Sequence, residues 1–420
     1  MASAAFAQPN ISPAKPQSGV IAIVGGTIHI GNGKVIQNGT IVFSKGSIVS
    51  VSEGNTVPAG ASIVKADGKQ IYPGFIAPSN GVGLTEVESV KATRDIEETG
   101  TINPHVRSLI AYNTDSRIIA TVRSNGVLLS QPAPIGGLVS GTSSVVQLDA
   151  WNWEDAAYKK DVAVHFNWPT SKTRSGRRFG PSIPEEVQKE NYQKQMAQLK
   201  GYFAEAKAYA EIDQPAVTNA RFEAMKGLFN GSKKAIVNVD AQKDIILAVQ
   251  FFEDFGITPV LFGASDAVEI TGFLKDHHVP IIMHESQQLP DNEDDDVYLP
   301  YKTAKILHDA GILIAMSVST YRKQHNLPFM AGTEVAYGLS KEEALATITS
   351  NTAKILGIDA TTGTLEVGKD ANIVISEGDA LDMRSNNITT AYIQGRSINL
   401  DNVHKQLYKR YADKYGIKAD

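Results

Sequence analysis

Residues 235–283 read AIVNVDAQKDIILAVQFFEDFGITPVLFGASDAVEITGFLKDHHVPIIM, and this stretch decides the fold. Residues 235–239, 258–262 and 279–283 are short β-rich runs. Between the first two, Ile245, Val249, Phe252 and Phe255 recur at spacings of 4, 3 and 3, the period of an amphipathic helix. Residues 267–277 repeat that pattern, and so do 301–310 ahead of a fourth run at 312–316. The four runs start 23, 21 and 33 residues apart. Strand and helix alternating at this interval build βαβ units and a parallel sheet. Right-handed crossovers then leave a doubly wound sheet or an eight-fold barrel.

Outward from the centre the pattern changes. Residues 20–72 consist of short β-runs. A strand at 21–24, a glycine turn at Gly25-Gly26 and a second strand at 27–30 are expected, and Asn32-Gly33 is a hairpin signal. After Gly363 short β-runs return at 372–376, 390–393 and 397–400. A β-module at each end of a βα array predicts that the two ends meet in one sheet domain. Upstream of the centre, Ser182 and Glu185 have capping-box spacing. Tyr192, Met196, Leu199, Phe203 and Ala206 follow as a core-facing helical stripe. Residues 403–415 predict a basic, aromatic surface helix.

The 420-residue chain has a formal charge of −5, with 42% hydrophobic and 20% charged residues, as ordered globular proteins do. Its slight acidity argues against nucleic acid as a partner. No run approaches the roughly 18 apolar residues of a membrane span. With no cysteine, disulfides, thiolate metal sites and cysteine nucleophiles are excluded. Ala5-Phe6-Ala7 before Gln8 has the small-x-small form that ends a secretory signal peptide, so a periplasmic or secreted location is expected. The Pro-, Ser- and Gln-rich residues 9–18 read as a solvated leader, and the acidic run at 291–296 as a solvated loop.

Three segments together resemble the amidohydrolase superfamily, specifically its imidazolonepropionase-like branch. They are Val24-Gly25-Gly26-Thr27 running on to Tyr72-Pro73-Gly74-Phe75-Ile76, then 351–358 (NTAKILGI), then 363–374 (GTLEVGKDANIV). The resemblance implies an α/β fold: a (β/α)8 TIM-like barrel with a small β-sandwich built from both chain ends. The expected divisions are a leader at 1–19, sandwich parts at 20–73 and 363–402, the barrel at 74–362, and a terminal helix at 403–420. It also implies metal-assisted hydrolysis of amide C–N bonds at the C-terminal ends of the barrel strands.

The family's metal motif, Asp-x-His-x-His, follows the Pro-Gly-Phe-Ile segment. Its two histidines fall here at Ser79 and Gly81. The strand-five ligand falls at Asp240, the strand-six position near Phe262-Gly263, and the strand-eight aspartate at Ser319. Among the nine histidines, His284 with Glu285 follows a strand run and would face the barrel mouth. Asp240, His284 and Glu285 are therefore the candidate catalytic residues, as an acid–base set or a weak metal site. Glu86 and Glu88 lie just beyond strand one. His165 and Arg322 are candidate substrate-binding residues, and the IGGLVSGTSS loop at 135–144 could offer backbone N–H groups to an anion.

Two functions follow. One is a divergent amidohydrolase-like hydrolase of small-molecule or peptide amides. The other is an inactive pseudoenzyme serving as a binding or partner subunit of an active relative. No cofactor is expected, with one weakly bound divalent metal, zinc, as the alternative. The expected partners are an amide ligand and a second copy or an active relative, with no nucleic acid and no membrane.

Overall fold

Strand alternation sets up two sheets. The computed structural model describes residues 12–172, 183–290 and 294–418. The signal-like residues 1–8, the Ser182 cap and part of the acidic run lie outside them.

The first sheet begins with β1 (Val20–His29), β2 (Val35–Ser44), β3 (Ser47–Glu53), β4 (Ser62–Lys65) and β5 (Gln70–Pro73). The glycine turn expected at Gly25-Gly26 is instead a bulge within one continuous strand. Gly25 takes φ +89° and the register with β2 shifts there, but pairing resumes on both sides. The hairpin turn comes later, at Gly31–Gly33. The chain's other end completes this sheet.

The barrel strands are β6 (Phe75–Asn80), β7 (Val127–Pro132), β8 (Val139–Gln147), β9 (Ala157–Asn167), β10 (Lys234–Val239), β11 (Val260–Gly263), β12 (Ile281–Met283) and β13 (Ile314–Met316). They form one eight-stranded sheet in sequential order. β6 pairs parallel with β7, and β9 to β13 pair parallel in succession. β8 departs from the all-parallel expectation: it runs antiparallel to both neighbours. Only a short loop separates β7 from β8, too short for a helical crossover, so the chain must reverse there. The open edge between β13 and β6 is nearly closed. Ser317 Oγ donates to Pro78 O at 2.9 Å, and Ile76 N donates to Ile348 O at 2.8 Å.

The last strands, β14 (Ile373–Ser376), β15 (Ile388–Ile393) and β16 (Arg396–Ser397), return to the first sheet. Its order is β16-β15-β14-β5-β1-β2-β3, with β4 paired to β1. Its own core gathers Ile23, Ile41, Phe43, Ile71, Ile373 and Tyr392. The leader is not wholly solvated. Ala14 N donates to the buried Asp149 carboxylate at 2.8 Å, and Arg396 of β16 donates to the same group at 3.0 Å. Arg123 supplies a second guanidinium at 2.8 Å, which compensates the cost of burying that carboxylate.

The predicted helical stripes hold. Ile245, Val249 and Phe252 of the helix Gln242–Asp254 are buried, as are Leu199, Phe203 and Ala206 of Glu185–Ala210. Their rings pack edge-on: Phe203 lies 5.4 Å from Phe252 at 89°.

Candidate functional site

Period-two alternation positions the site. Each barrel strand contributes one apolar side chain to a single buried cluster: Ile76, Leu129, Val145, Ala163, Ile236, Val260, Ile282 and Ala315. Two residues further toward the C-terminal rim, the next inward layer changes character. It comprises Gln131, Ser143, His165, Asn238, Phe262, His284 and Ser317, with Asn80 from β6, whose register is shifted. β8 runs the other way, so its member precedes Val145 instead of following it.

Most of this layer is amides and hydroxyls engaged in hydrogen bonds. Ser79, held at φ +47°, donates its N–H to Gln131 Oε1 at 3.0 Å. Gln131 Nε2 donates to Ser143 Oγ at 3.0 Å, and Ser143 Oγ lies 2.7 Å from His165 Nε2. Gln131 and Ser143 are fully buried. Asn80 Nδ2 donates to Ser130 Oγ at 2.9 Å. Asn238 Nδ2 donates to Asn167 Oδ1 at 3.2 Å. Burial pushes the His165 imidazole down to about 3, so it is uncharged near neutrality.

A cavity of about 250 Å³ opens over this layer. Asn80, His165, Asn238, Phe262 and His284 line it from below, with Glu88 and Arg94 at its edge. Arg94 is half-buried. A larger space of about 680 Å³ lies on the other side of His284, among Gln242, Asp266, Glu269, Gln288 and Thr303. It is an opening between rim segments; the smaller cavity sits on the barrel axis.

The predicted site residues divide. Asp240 and His284 do approach each other across β11. A methyl group on Gly263 would fall 2.6 Å from Asp240 Oδ1 and 3.3 Å from His284 Nε2. Gly263 also takes φ +87°, so glycine is required there for both reasons. Asp240 is exposed and accepts a hydrogen bond from Ser265 Oγ at 3.3 Å. The His284 ring meets Phe262 edge-on at 4.6 Å, and its Nδ1 is buried without a partner.

Glu285 does not join them. Ser319 grips its carboxylate twice, N–H to Oε2 and Oγ to Oε1, both at 2.6 Å. So bound, the carboxylate ties the two rim segments together. His165 lines the cavity, as expected of a ligand-binding residue. Arg322 does not: it is exposed, and its Nε donates to Tyr321 OH at 2.9 Å. Tyr321 itself lines the cavity and takes the Glu88 N–H at 3.1 Å. Glu86 is spent on Asn113, at 3.1 Å. The IGGLVSGTSS stretch is not a loop throughout: from Val139 it is β8, and ahead of it the Gly137 carbonyl accepts from Asn167 Nδ2 at 2.8 Å.

Among the described residues no three His, Asp or Glu side chains converge on a point that could hold a metal ion. The family's metal does not fit the inward layer, because its members are amides, hydroxyls, a phenyl ring and two separated imidazoles. Phe262 puts an apolar ring where the strand-six ligand would be. Sequence reading missed Asn80, Gln131, Ser143 and Asn238. The signal was present: each stands two residues rimward of an apolar inward position, or four in the case of Asn80.

Comparisons with known proteins find likeness to amidohydrolases in part of the sequence and in the fold. Residues 300–398 match the amidohydrolase family. An imidazolonepropionase from Thermoplasma volcanium is 40% identical over 82 residues, which is 19% of this chain and 20% of that protein. The match thus spans about a fifth of the curated relative's length. In fold, the chain is similar to an amidohydrolase from Thermotoga maritima MSB8, with a TM-score of 0.76 and 23% identity over 90% of this chain and 99% of that one. It is also similar to a Xaa-Pro dipeptidase, with a TM-score of 0.53 and 12% identity over 91% of this chain and 100% of that one. The family match is confined to residues 300–398, and the structural likenesses, at 23% and 12% identity, concern the fold alone.

Proposed function

We propose that this chain is an amidohydrolase-superfamily protein, its eight-stranded sheet a (β/α)8-type barrel with one strand reversed, whose mouth binds a small amide or peptide-like ligand. In this reading the barrel keeps the ligand cavity and has given up the metal cage. The chain then works as a binding or partner subunit, in a periplasmic or secreted setting, beside an active relative. The observation that carries the reading is the layer of amide and hydroxyl groups under the cavity. Amide and hydroxyl groups match the donors and acceptors of an uncharged amide, whereas a metal-bound hydroxide needs imidazole and carboxylate ligands.

Binding is the direct test. Small amides, including dipeptides and cyclic ureides, are titrated by calorimetry into protein treated with chelator and into protein supplied with zinc. The expected result is equal affinity in both, weakened by about tenfold or more in Asn238→Leu, since one unpaired ligand group costs that much. Chelator-sensitive hydrolysis of any of these amides contradicts it.

A second reading has one observation in its favour, the convergence of Asp240 and His284 over Gly263. The pair could act as general base and acid on a bound amide. Amide hydrolysis abolished by both Asp240→Asn and His284→Gln, and unaffected by chelator, would select this reading over the first.

A further inference from the structure

The C-terminal helix Val403–Tyr415 takes no part in either sheet, and its exposed side chains form a pattern. Ala412 is the only side chain of this helix that is buried. His404, Tyr408, Tyr411 and Tyr415 follow at spacings of 4, 3 and 4, so they share one stripe, with Leu407 beside it. Tyr408 is 57% and Tyr415 65% exposed, and Ile417 continues the apolar surface past the Gly416 cap. Lys405, Lys409, Arg410, Lys414 and Lys418 flank the stripe, against the single acid Asp413, in a chain whose formal charge is −5.

None of these five cations forms an ion pair with a carboxylate among the described residues. Arg410 and Lys414 lie instead over the tyrosine rings, at 5.3 Å from Tyr411 and 5.1 Å from Tyr415. In a protein with 45 acidic residues, five cations without a carboxylate partner and a bare aromatic stripe on one convex helix call for an anionic partner.

We propose that this helix docks on an anionic lipid surface, tyrosines at headgroup level and Lys and Arg toward the phosphates. A second copy is a poor occupant, because isologous pairing of the stripe would bring the same cations together. The helix packs beside the helix Arg117–Arg123, and its exposed tyrosine stripe suits a deformable lipid interface better than a rigid protein. Basic flanks with an aromatic stripe are the side-chain chemistry of interfacial helices. The proposal goes beyond the amide-binding reading and is independent of it.

Sedimentation of the full chain with vesicles tests it. One set is pure phosphatidylcholine and the other contains about a third phosphatidylglycerol. Each cation near an anionic leaflet is worth about a fivefold factor, so the anionic vesicles should bind at least about a hundredfold more tightly, and salt should release the protein. Replacing Lys405, Lys409, Arg410 and Lys414 by Ser should abolish that preference. Replacing Tyr408, Tyr411 and Tyr415 by Ser should weaken binding while leaving the unfolding midpoint unchanged. If either variant fails to fold, the lipid and salt dependence of the unaltered chain decides. Equal binding to both vesicle types, folded variants that bind as the parent does, or retention on polyglutamate without vesicle binding would each overturn the proposal. The last of these would point to an acidic protein instead.

Discussion

His165 shows how far one residue's chemistry has moved from a metal ligand. Its Nε2, the atom that would face a metal, is 2.7 Å from Ser143 Oγ, and Ser143 is in turn held by Gln131. Burial holds the imidazole uncharged down to about pH 3. Between that value and the ordinary 6.5 the unfolded chain binds a proton that the folded chain refuses, so stability rises with pH across this window. Acid should therefore destabilise the protein from about pH 6 downward. The variant His165→Gln should flatten this limb of the stability profile, measured by urea unfolding at several pH values. A profile unchanged by the substitution would mean that the imidazole titrates freely and the network is not sealed.

Among elements, the joint between the first sheet and the barrel carries the opposite pH response. His29 of β1 directs Nδ1 at Glu342 Oε1, 2.6 Å away on the barrel helix Lys341–Thr347, and Nε2 at Gln70 Oε1 of β5, 2.9 Å away. With Glu342 and the Gln70 Oε1 both placed to accept, the arrangement favours the doubly protonated ring. It stacks on Tyr72 with centroids 4.4 Å apart and planes 8° from parallel. Lys341 reaches Asp379, at 2.6 Å, beside this pair. Burial alone would lower the pKa of His29, but the hydrogen bonds to Glu342 and Gln70 and the charges of Glu342 and Asp379 outweigh it and raise the value above 6.5. A raised folded value means that this stabilisation is complete below pH 6.5 and is lost as pH rises through the folded value. His29→Gln should lower the unfolding midpoint at pH 6 and have little effect at pH 9. Equal effects at both values would show that the joint is held by packing alone.

The secondary elements were largely legible in the sequence, and the reasons are specific. Helical stripes such as Ile245-Val249-Phe252 and β-runs such as 235–239 carry their period locally. The reversal of β8 was not legible, because strand direction depends on the length of the loop that precedes it and on pairing with β9. The site was half legible. The loss of histidine at positions 79 and 81 could be read directly, because Pro73-Gly74-Phe75-Ile76 fixes the register beside it. That His284 faces inward and Glu285 does not follows from alternation. That Ser319 captures Glu285 depends on a contact between two rim loops, which no local pattern encodes. The position of Arg322 has the same origin: its neighbour Tyr321 takes the place on the cavity wall.

At the scale of the whole molecule, the barrel supports a mouth whose inward layer is mostly amides and hydroxyls, and a sheet from both chain ends closes against it. The architecture is similar to that of an amidohydrolase, while the described residues bring no three His, Asp or Glu side chains together. If the amide and hydroxyl layer defines the mouth, the barrel has no high-affinity place for a divalent ion. The most direct test is the metal content of the purified full chain, by inductively coupled plasma mass spectrometry after growth with zinc and manganese and exhaustive dialysis. The account predicts less than about a tenth of an equivalent of any transition metal, since a site short of ligands does not survive dialysis. Close to one equivalent, lost together with His165 or His284 on substitution, would contradict it and restore a metal centre to the barrel.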